Sequence, residues 1–322
     1  MGAATLNRHR RVDVMANVNR AEEERPSVSV IVPTYRRTRR LKQLLERLSI
    51  VEGARGLEVL IVDQTHDAVH DDLRAFSVFF SSLRFLRLEV ANVARARNRG
   101  ALEARADTLL FMDDDMELQG AFFPTLLGST VSNSRKAVGA VWTDADNSPG
   151  IAAAPIGSPT NVQANFLPSG VLVMGRAEFL RVGGFDERLY RYFEDAELSH
   201  RLKQSGISLV KDRTLRAIHH DERSDGTWHS PSLREAASTL ARQKAYFDRK
   251  TGRTWSAICW NLARTIASEA RRPAYIGKGN AFSRALALTL ALPSALLYAR
   301  KTPLLCTSAP QRENATRRAV AY

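Results

Sequence analysis

The sequence predicts an α/β fold with a largely parallel sheet, and three observations carry that expectation. Apolar runs of strand length recur at 27–33 (SVSVIVP), 57–63 (LEVLIVD) and 108–112 (TLLFM). Helical periodicities lie between them. The second run ends in one carboxylate and the third breaks into three, Asp113, Asp114 and Asp115. Strands buried on both faces read as continuous apolar runs, and strand–helix alternation builds right-handed parallel units. Such sheets bind ligands just beyond their C-terminal tips. Three adjacent carboxylates repel one another unless a cation neutralises them, so a metal-held phosphate site is the first functional hypothesis, beside a solvated acidic loop.

Each element follows in order. The first run is β-branched and closed by Pro33. Leu41, Leu44, Leu45 and Leu48 then recur at helical spacing behind Thr38, a candidate N-cap. Strands are expected at 57–63, 83–88 and 108–112, with a helix over 93–106. A helix over 121–131 and a strand over 137–142 come next. Residues 144–160, rich in Ser, Pro, Gly and Ala, predict a mobile loop. A strand over 166–174 precedes a helix over 194–204 with Ala196, Leu198 and Leu202 inward, stopped by Gly206. Short strands at 207–210 and 214–218 end the series.

The chain of 322 residues is long enough for one large domain and an appendage. Its net charge of +13 is unevenly placed. Residues 1–26 hold five basic and four acidic side chains, residues 27–230 hold 26 of each, and residues 231–322 hold 16 against 4. The expected organisation is a disordered lead (1–26), a neutral body (27–230) and a basic helical extension (231–322). A basic tail on a neutral body fits an anionic surface. Nucleic acid is disfavoured, because the cations are not interleaved with exposed aromatics. In the extension, Trp255, Ile258, Leu262 and Ile266 form one helical stripe, with Arg264 and Glu269 off it. A nearly all-apolar stretch runs over 282–298. Between Arg284 and Arg300, and interrupted by Pro293, it is shorter than the ~20 residues that span a bilayer. It either lies in a membrane interface or packs on the body. Cys259 and Cys306 form no Cys-x-x-Cys, which speaks against a disulfide framework or zinc site. No apolar leader precedes a cleavage site, so a cytoplasmic protein is expected, peripheral at the inner membrane face if the tail binds lipid.

Several motifs stand in one order: PTYRR at 33–37, VD at 62–63, ARARNRG at 94–100, MDDDM at 112–116, GGFDERL at 183–189, FEDAELSHRL at 193–202 and HH at 219–220. Over roughly residues 27–225 this series resembles the family-2 glycosyltransferases, inverting nucleotide-sugar enzymes with the GT-A fold. The resemblance implies a Rossmann-like, mixed but mainly parallel sheet flanked by helices.

It also implies roles. Pro33, Thr34 and Tyr35 would line the nucleotide's base and ribose, and Asp63 would hydrogen-bond the base. Arg97 would meet phosphate. Asp113 would reach the ribose and Asp115 would hold Mg²⁺ or Mn²⁺ against the diphosphate, with Asp114 supporting. Asp195 would be the base that takes the acceptor hydroxyl proton, with Glu194 orienting the acceptor or that base. A histidine would complete the metal site. Strand alternation lets only one of His219 and His220 face the crevice, and His219 is slightly favoured. Residues 221–230 resemble a lid, with Trp228 as an acceptor or sugar platform. The second-strand exit reads VDQTHD where the family commonly has a VDDGS-type sequence, which leaves the choice of nucleotide open. The absence of a Gln-x-x-Arg-Trp motif disfavours a processive synthase.

The implied reaction moves one sugar from a nucleoside diphosphate donor to a hydroxyl acceptor, in cell-surface polysaccharide or glycolipid synthesis. A lipid-linked acceptor is favoured by the tail. The alternatives are a nucleotidyltransferase of related fold and a non-catalytic nucleic-acid-binding protein.

Overall fold

The computed structural model describes residues 25–65, 70–128, 135–144, 160–220, 232–271 and 280–304. The expected disordered lead up to residue 24, the core of the 144–160 loop, and the 221–230 lid with Trp228 lie outside these residues.

The described strands are β1 (Val28–Thr34), β2 (Leu57–Asp63), β3 (Ser82–Arg87), β4 (Thr108–Met112), β5 (Met116–Gln119), β6 (Lys136–Asp144), β7 (Asn161–Gln163), β8 (Val171–Gly175) and β9 (Ser208–His219). They form one sheet in the order β3-β2-β1-β4-β8-β6-β9-β5, with β7 also pairing with β9. The β3-β2-β1-β4 half is parallel throughout, as expected. Beyond β4 the pairing is mixed. β8 runs antiparallel to both β4 and β6, β6 runs parallel to β9, and β5 and β7 run antiparallel to β9. The sheet is therefore mixed, and parallel mainly in its N-terminal half.

Period-two alternation delivers the apolar strands to two cores. Val30, Val32, Val59, Ile61, Leu110 and Met112 enter one, and Ile31, Leu60, Val62, Leu109 and Phe111 enter the other. Helix α1 (Thr38–Ser49) buries Leu41, Leu44, Leu45 and Leu48 against the first core. Each fully buried leucine contributes about 1.5–3 kcal/mol relative to exposure. Its N-cap is Arg37, which makes no side-chain cap, and Thr38 is the first helical residue. Helix α2 (Val93–Glu103) is capped by Asn92, whose side chain accepts from Arg95 N–H, and packs on the second core. A β-carbon at Gly100 of this helix would lie 2.4 Å from Ile31 Cγ2, so the close α2–β1 packing requires glycine there.

The remaining helices are α3 (Phe122–Gly128), α4 (Arg176–Arg181), α5 (Glu194–Gln204), α6 (Leu233–Lys250), α7 (Trp255–Arg271) and α8 (Ala281–Lys301). Several expectations are revised. β5 follows directly on the acid triplet, before the helix. The 166–174 strand begins only at Val171. The two short strands at 207–218 are one strand, β9, in which a register shift against β6 falls between Ala140 and Val141. Asp212 stabilises that irregularity by accepting from the amide and hydroxyl of Thr214. In α5, Leu198 and Leu202 are buried but Ala196 is only half-buried, and Glu197 takes an inward place. In the extension Ile258 and Leu262 are buried as expected, whereas Trp255 is exposed and Glu269 is buried. Helix α8 runs through Pro293.

The C-terminal helices close on a third core of Ala236, Ala237, Leu240, Ala241 and Ala245 with Ile258, Leu262 and Leu288. Tyr192 and Phe193, from the segment before α5, pack against it. The extension is thereby joined to the sheet domain through apolar contact.

Candidate active site

The tips of β1, β2 and β4 converge with the starts of α2 and α5 around a cleft of about 470 Å³. Pro33, Thr34, Tyr35, Arg97, Asp113, Asp114, Asp115 and Glu194 all line it, so residues distant in the chain share one wall.

Arg97 sits at the centre. It is 2% exposed; its Nη2 donates to Asp113 Oδ1 at 2.6 Å and its Nη1 to Glu194 Oε1 at 3.0 Å. Its guanidinium also lies over the Phe185 ring, 5.3 Å from the centroid. One buried cation therefore links the acid triplet on β4 to the acidic start of α5. Such charge-assisted contacts are short and directional.

The triplet divides into three environments. Asp114 is buried, accepting from Thr34 Oγ1 at 2.7 Å and Arg37 Nη1 at 2.7 Å. Burial pushes its carboxyl up to about 6 against the pull of Arg37, with Asp115 adding to the rise. Asp113 faces Arg97 and is the more open of the three. Asp115 accepts from Arg37 Nη1 at 3.1 Å, and His219 Nε2 lies 3.7 Å from its other oxygen. Burial and Asp113 raise the Asp115 carboxyl above its ordinary range, opposed by His219 and Arg37.

The antiparallel pairing of β5 with β9 sets Met116 opposite His219, which puts His219 beside Asp115. His220 turns elsewhere: its Nε2 is 2.7 Å from Glu117 Oε2, and its carbonyl accepts from Arg40. Of the two imidazoles, only that of His219 meets the triplet, while the His220 N–H donates to Asp115 O at 2.8 Å. The donor set suits a divalent ion. Two ligand atoms held at about 2.1 Å stand roughly 3 Å apart at a right angle and roughly 4 Å apart when opposed, and the Asp115–His219 spacing falls between. No cluster of three acidic, histidine or cysteine side chains suited to a metal occurs among the described residues. An ion on Asp115 and His219 would therefore complete its shell with substrate oxygens or water.

Asp63 is placed differently from expectation. Its Oδ1 accepts from Thr65 N–H and its Oδ2 lies 2.7 Å from His70 Nε2, with the His70 ring stacked on Phe85. The cleft at this position is lined by its neighbour Gln64, whose amide spans Thr34 O and Asn92 N–H. Residues 66–69 lie outside the described set, so only the His70 end of this loop is seen.

At the opposite wall, α5 opens from Phe193, which is left-handed at φ +67°. The other described non-glycine residue with positive φ is Arg36, at φ +54° in the PTYRR turn. Both flank the cleft, and strain of this kind, of order 1–3 kcal/mol each, persists where surrounding contacts over-determine it. Phe193 is held by stacking on Phe247 of α6 at 5.5 Å. Glu194 is buried and raised by that burial against the pull of Arg97. Asp195 is half-buried and outside the cleft lining, with Oδ1 accepting from Ala196 N–H. Burial, reinforced by Glu194, pushes its carboxyl up to about 7.

A second layer fixes this wall. Asn98 clamps the GGFDERL turn by accepting from Phe185 N–H at 2.8 Å and donating to Phe185 O at 2.9 Å. Asp186 accepts from Tyr246 OH at 2.8 Å and Lys250 Nζ at 2.5 Å, and Lys250 also meets Glu197 at 2.9 Å. Burial would raise Asp186, but Lys250 holds it below its ordinary range. Arg37, Gln64, Asn92, Tyr190 and Arg191 also line the cleft and were not singled out by sequence. Arg37 stands inside the quoted PTYRR motif; the others follow no recognisable pattern.

A mixed sheet with an acid triplet at one tip and an acidic helix start facing it is an architecture of the GT-A fold. Residues 29–165 match the model of glycosyl transferase family 2. The N-acetylglucosaminyl-diphospho-decaprenol L-rhamnosyltransferase of Mycobacterium tuberculosis is 30% identical over 109 residues, 34% of this chain and 35% of the relative. The match thus spans about a third of that relative's length. Among solved structures, S. aureus TarS 1–349 in complex with UDP-GlcNAc superposes with a TM-score of 0.54 at 15% identity, covering 77% of this chain and 76% of TarS. The mannosyltransferase PcManGT from Pyrobaculum calidifontis, in complex with GDP-Man and Mn²⁺, gives 0.50 at 18% identity, covering 86% of each chain. These likenesses establish the shared fold.

Proposed function

We propose that the chain is an inverting, metal-dependent glycosyltransferase that moves one sugar from a nucleoside diphosphate donor to a hydroxyl acceptor in cell-surface polysaccharide or glycolipid synthesis. The observation that carries this reading is the Arg97 bridge, which holds the donor-side Asp113 and the acceptor-side Glu194 in one cleft.

In this reading Tyr35 and Gln64 bracket the nucleotide base, and Asp113 takes the ribose. Arg37 and Arg97 face the diphosphate. Asp115 and His219 would hold Mg²⁺ or Mn²⁺, whose charge would offset that of the departing diphosphate. The acceptor oxygen attacks the anomeric carbon while its proton passes to a carboxylate, and the broken C–O bond leaves its electron pair on the diphosphate. Asp195 is the better base. Glu194 is already engaged by Arg97, whereas an Asp195 carboxyl near 7 is matched to proton uptake at neutral pH. The mycobacterial relative is named for a lipid diphosphate substrate, and a lipid-linked acceptor met at the inner membrane face agrees with the basic C-terminal helices.

The direct test is a panel of nucleotide sugars screened for thermal stabilisation with and without Mn²⁺. The expected result is metal-dependent stabilisation by one nucleotide class and its loss in Asp115→Ala. Equal stabilisation with and without metal would remove the metal from the mechanism.

A further inference from the structure

Helix α8 has two apolar faces, and the bulkier one points away from the protein. Leu288, Ala291, Ala295 and Ala299 are buried in the C-terminal core, with Leu292 and Leu296 half-buried against it. On the other side, Phe282, Leu286, Leu290 and Leu297 are 76%, 46%, 72% and 51% exposed. A helix serving only its own bundle would place leucines inward and polar residues outward. The neighbouring α7 buries Ile258 and Leu262 but leaves Trp255 and Trp260 exposed. An open slot lined by Trp255 and Leu297 and rimmed by Arg300 joins the two helices.

The charge around this face has one sign. Residues 251–304 contain eight basic side chains and one acidic, Glu269, which is 0% exposed. Arg253, Arg264, Arg271, Arg300 and Lys301 are all exposed. A second copy of this chain would bring cations against cations. An anionic lipid surface offers both an apolar phase and the complementary charge.

We propose that α7 and α8 dock on an anionic bilayer, with α8 lying in the interface and its outer leucine stripe at the acyl boundary. By length and composition α8, of 21 residues, is able to cross a membrane. Its inner face, however, is packed along α6, and Arg249 of α6 donates to the carbonyls of Ala299, Arg300 and Thr302 at its end. Spanning would carry α6 and its cations into hydrocarbon, at high cost. The Arg284 side chain does not interrupt the outer stripe, because it is buried and donates to Glu269 O.

The proposal deepens the lipid-linked acceptor reading and rests on it for its purpose, but lipid docking is read without any sugar transfer. The test is flotation of the full chain with phosphatidylcholine vesicles, with and without phosphatidylglycerol. The chain is expected to float with the anionic vesicles and to remain below with the neutral ones. Leu290→Glu/Leu297→Glu should lower partitioning at least about tenfold, the factor implied by losing one leucine from an apolar phase. Both positions are exposed, so melting temperature and nucleotide-sugar stabilisation should match wild type. Failure of wild type to float, or a double variant that floats equally well, overturns the proposal. A dimer in light scattering that Leu290→Glu dissociates would assign the face to a second copy instead, and also overturns it.

Discussion

Arg97 makes the acidic cleft tenable. It is buried with Asp113 and Glu194, and removing one partner of a buried ion pair costs about 3–5 kcal/mol because a charge is left uncompensated. Arg97→Met is therefore expected to lower unfolding free energy by about that amount in urea titration and to abolish transfer. Asp195→Asn is expected to leave donor binding intact by calorimetry while turnover falls by at least about 10²-fold, the lower range for a lost general base. Retained turnover would move the role to Glu194. The raised Asp195 carboxyl, near 7, also fixes the direction of pH effects. The base must be unprotonated, so kcat should rise as pH rises through about 7. A carboxyl raised on folding contributes stability below the ordinary carboxylate range and loses it as pH climbs through its folded value. Activity and melting temperature should thus move in opposite directions between about 4 and 7, and Asp195→Asn should flatten part of the melting trend.

At the scale of elements, α6 is tied to the α5 wall of the cleft by polar and aromatic contacts. Lys250 neutralises Asp186 and Glu197, and Phe247 backs the left-handed Phe193 just before Glu194. Lys250→Met is expected to cost about 3 kcal/mol in unfolding free energy. Through displacement of α5 it should also lower kcat more than it raises KM. Asn98→Ala would strand the amide and carbonyl of Phe185, at about 1–3 kcal/mol for each buried group left unpaired, measurable as a fall in urea midpoint. Which elements were legible in sequence follows from where their stabilisation arises. β1, β2 and β4 declare themselves because burial on both faces demands continuous apolar runs. β5 (MELQ) and β7 (NVQ) do not, because short, part-exposed strands are made by pairing with β9 rather than by their own composition.

For the whole molecule, the same distinction applies to the site. The acid triplet, Arg97 and the Glu-Asp pair stood in ordered motifs, and the fold brings Asp113 and Glu194 to one guanidinium. The resemblance gave Asp63 to the nucleotide base; in the fold its carboxylate meets His70, which no sequence pattern singled out. Gln64, Asn92, Tyr190 and Arg191 reach the cleft from loop and cap positions, whose direction depends on tertiary contacts that periodicity does not encode. The extension also proves to be structurally engaged. A chain ending at residue 230 would lose Tyr246 and Lys250 from Asp186 and uncover Tyr192 and Phe193. Such a chain is expected to melt earlier and to lose transfer, as read by calorimetric scanning and a turnover assay; full activity would show the helices to be dispensable.

The pairing of β5 with β9 has a consequence for assembly. Asp115 and His219 lie about a hundred residues apart in the chain, and they become neighbours only when β9 closes against β5. Loop-closure entropy makes such a contact slow to form relative to the local β1-β2-β3 block. A nascent or partly refolded chain would already present the arginines and the triplet but lack the imidazole. Manganese affinity followed during refolding should accordingly lag behind the recovery of helical signal, making ion capture a timer for the last step of maturation.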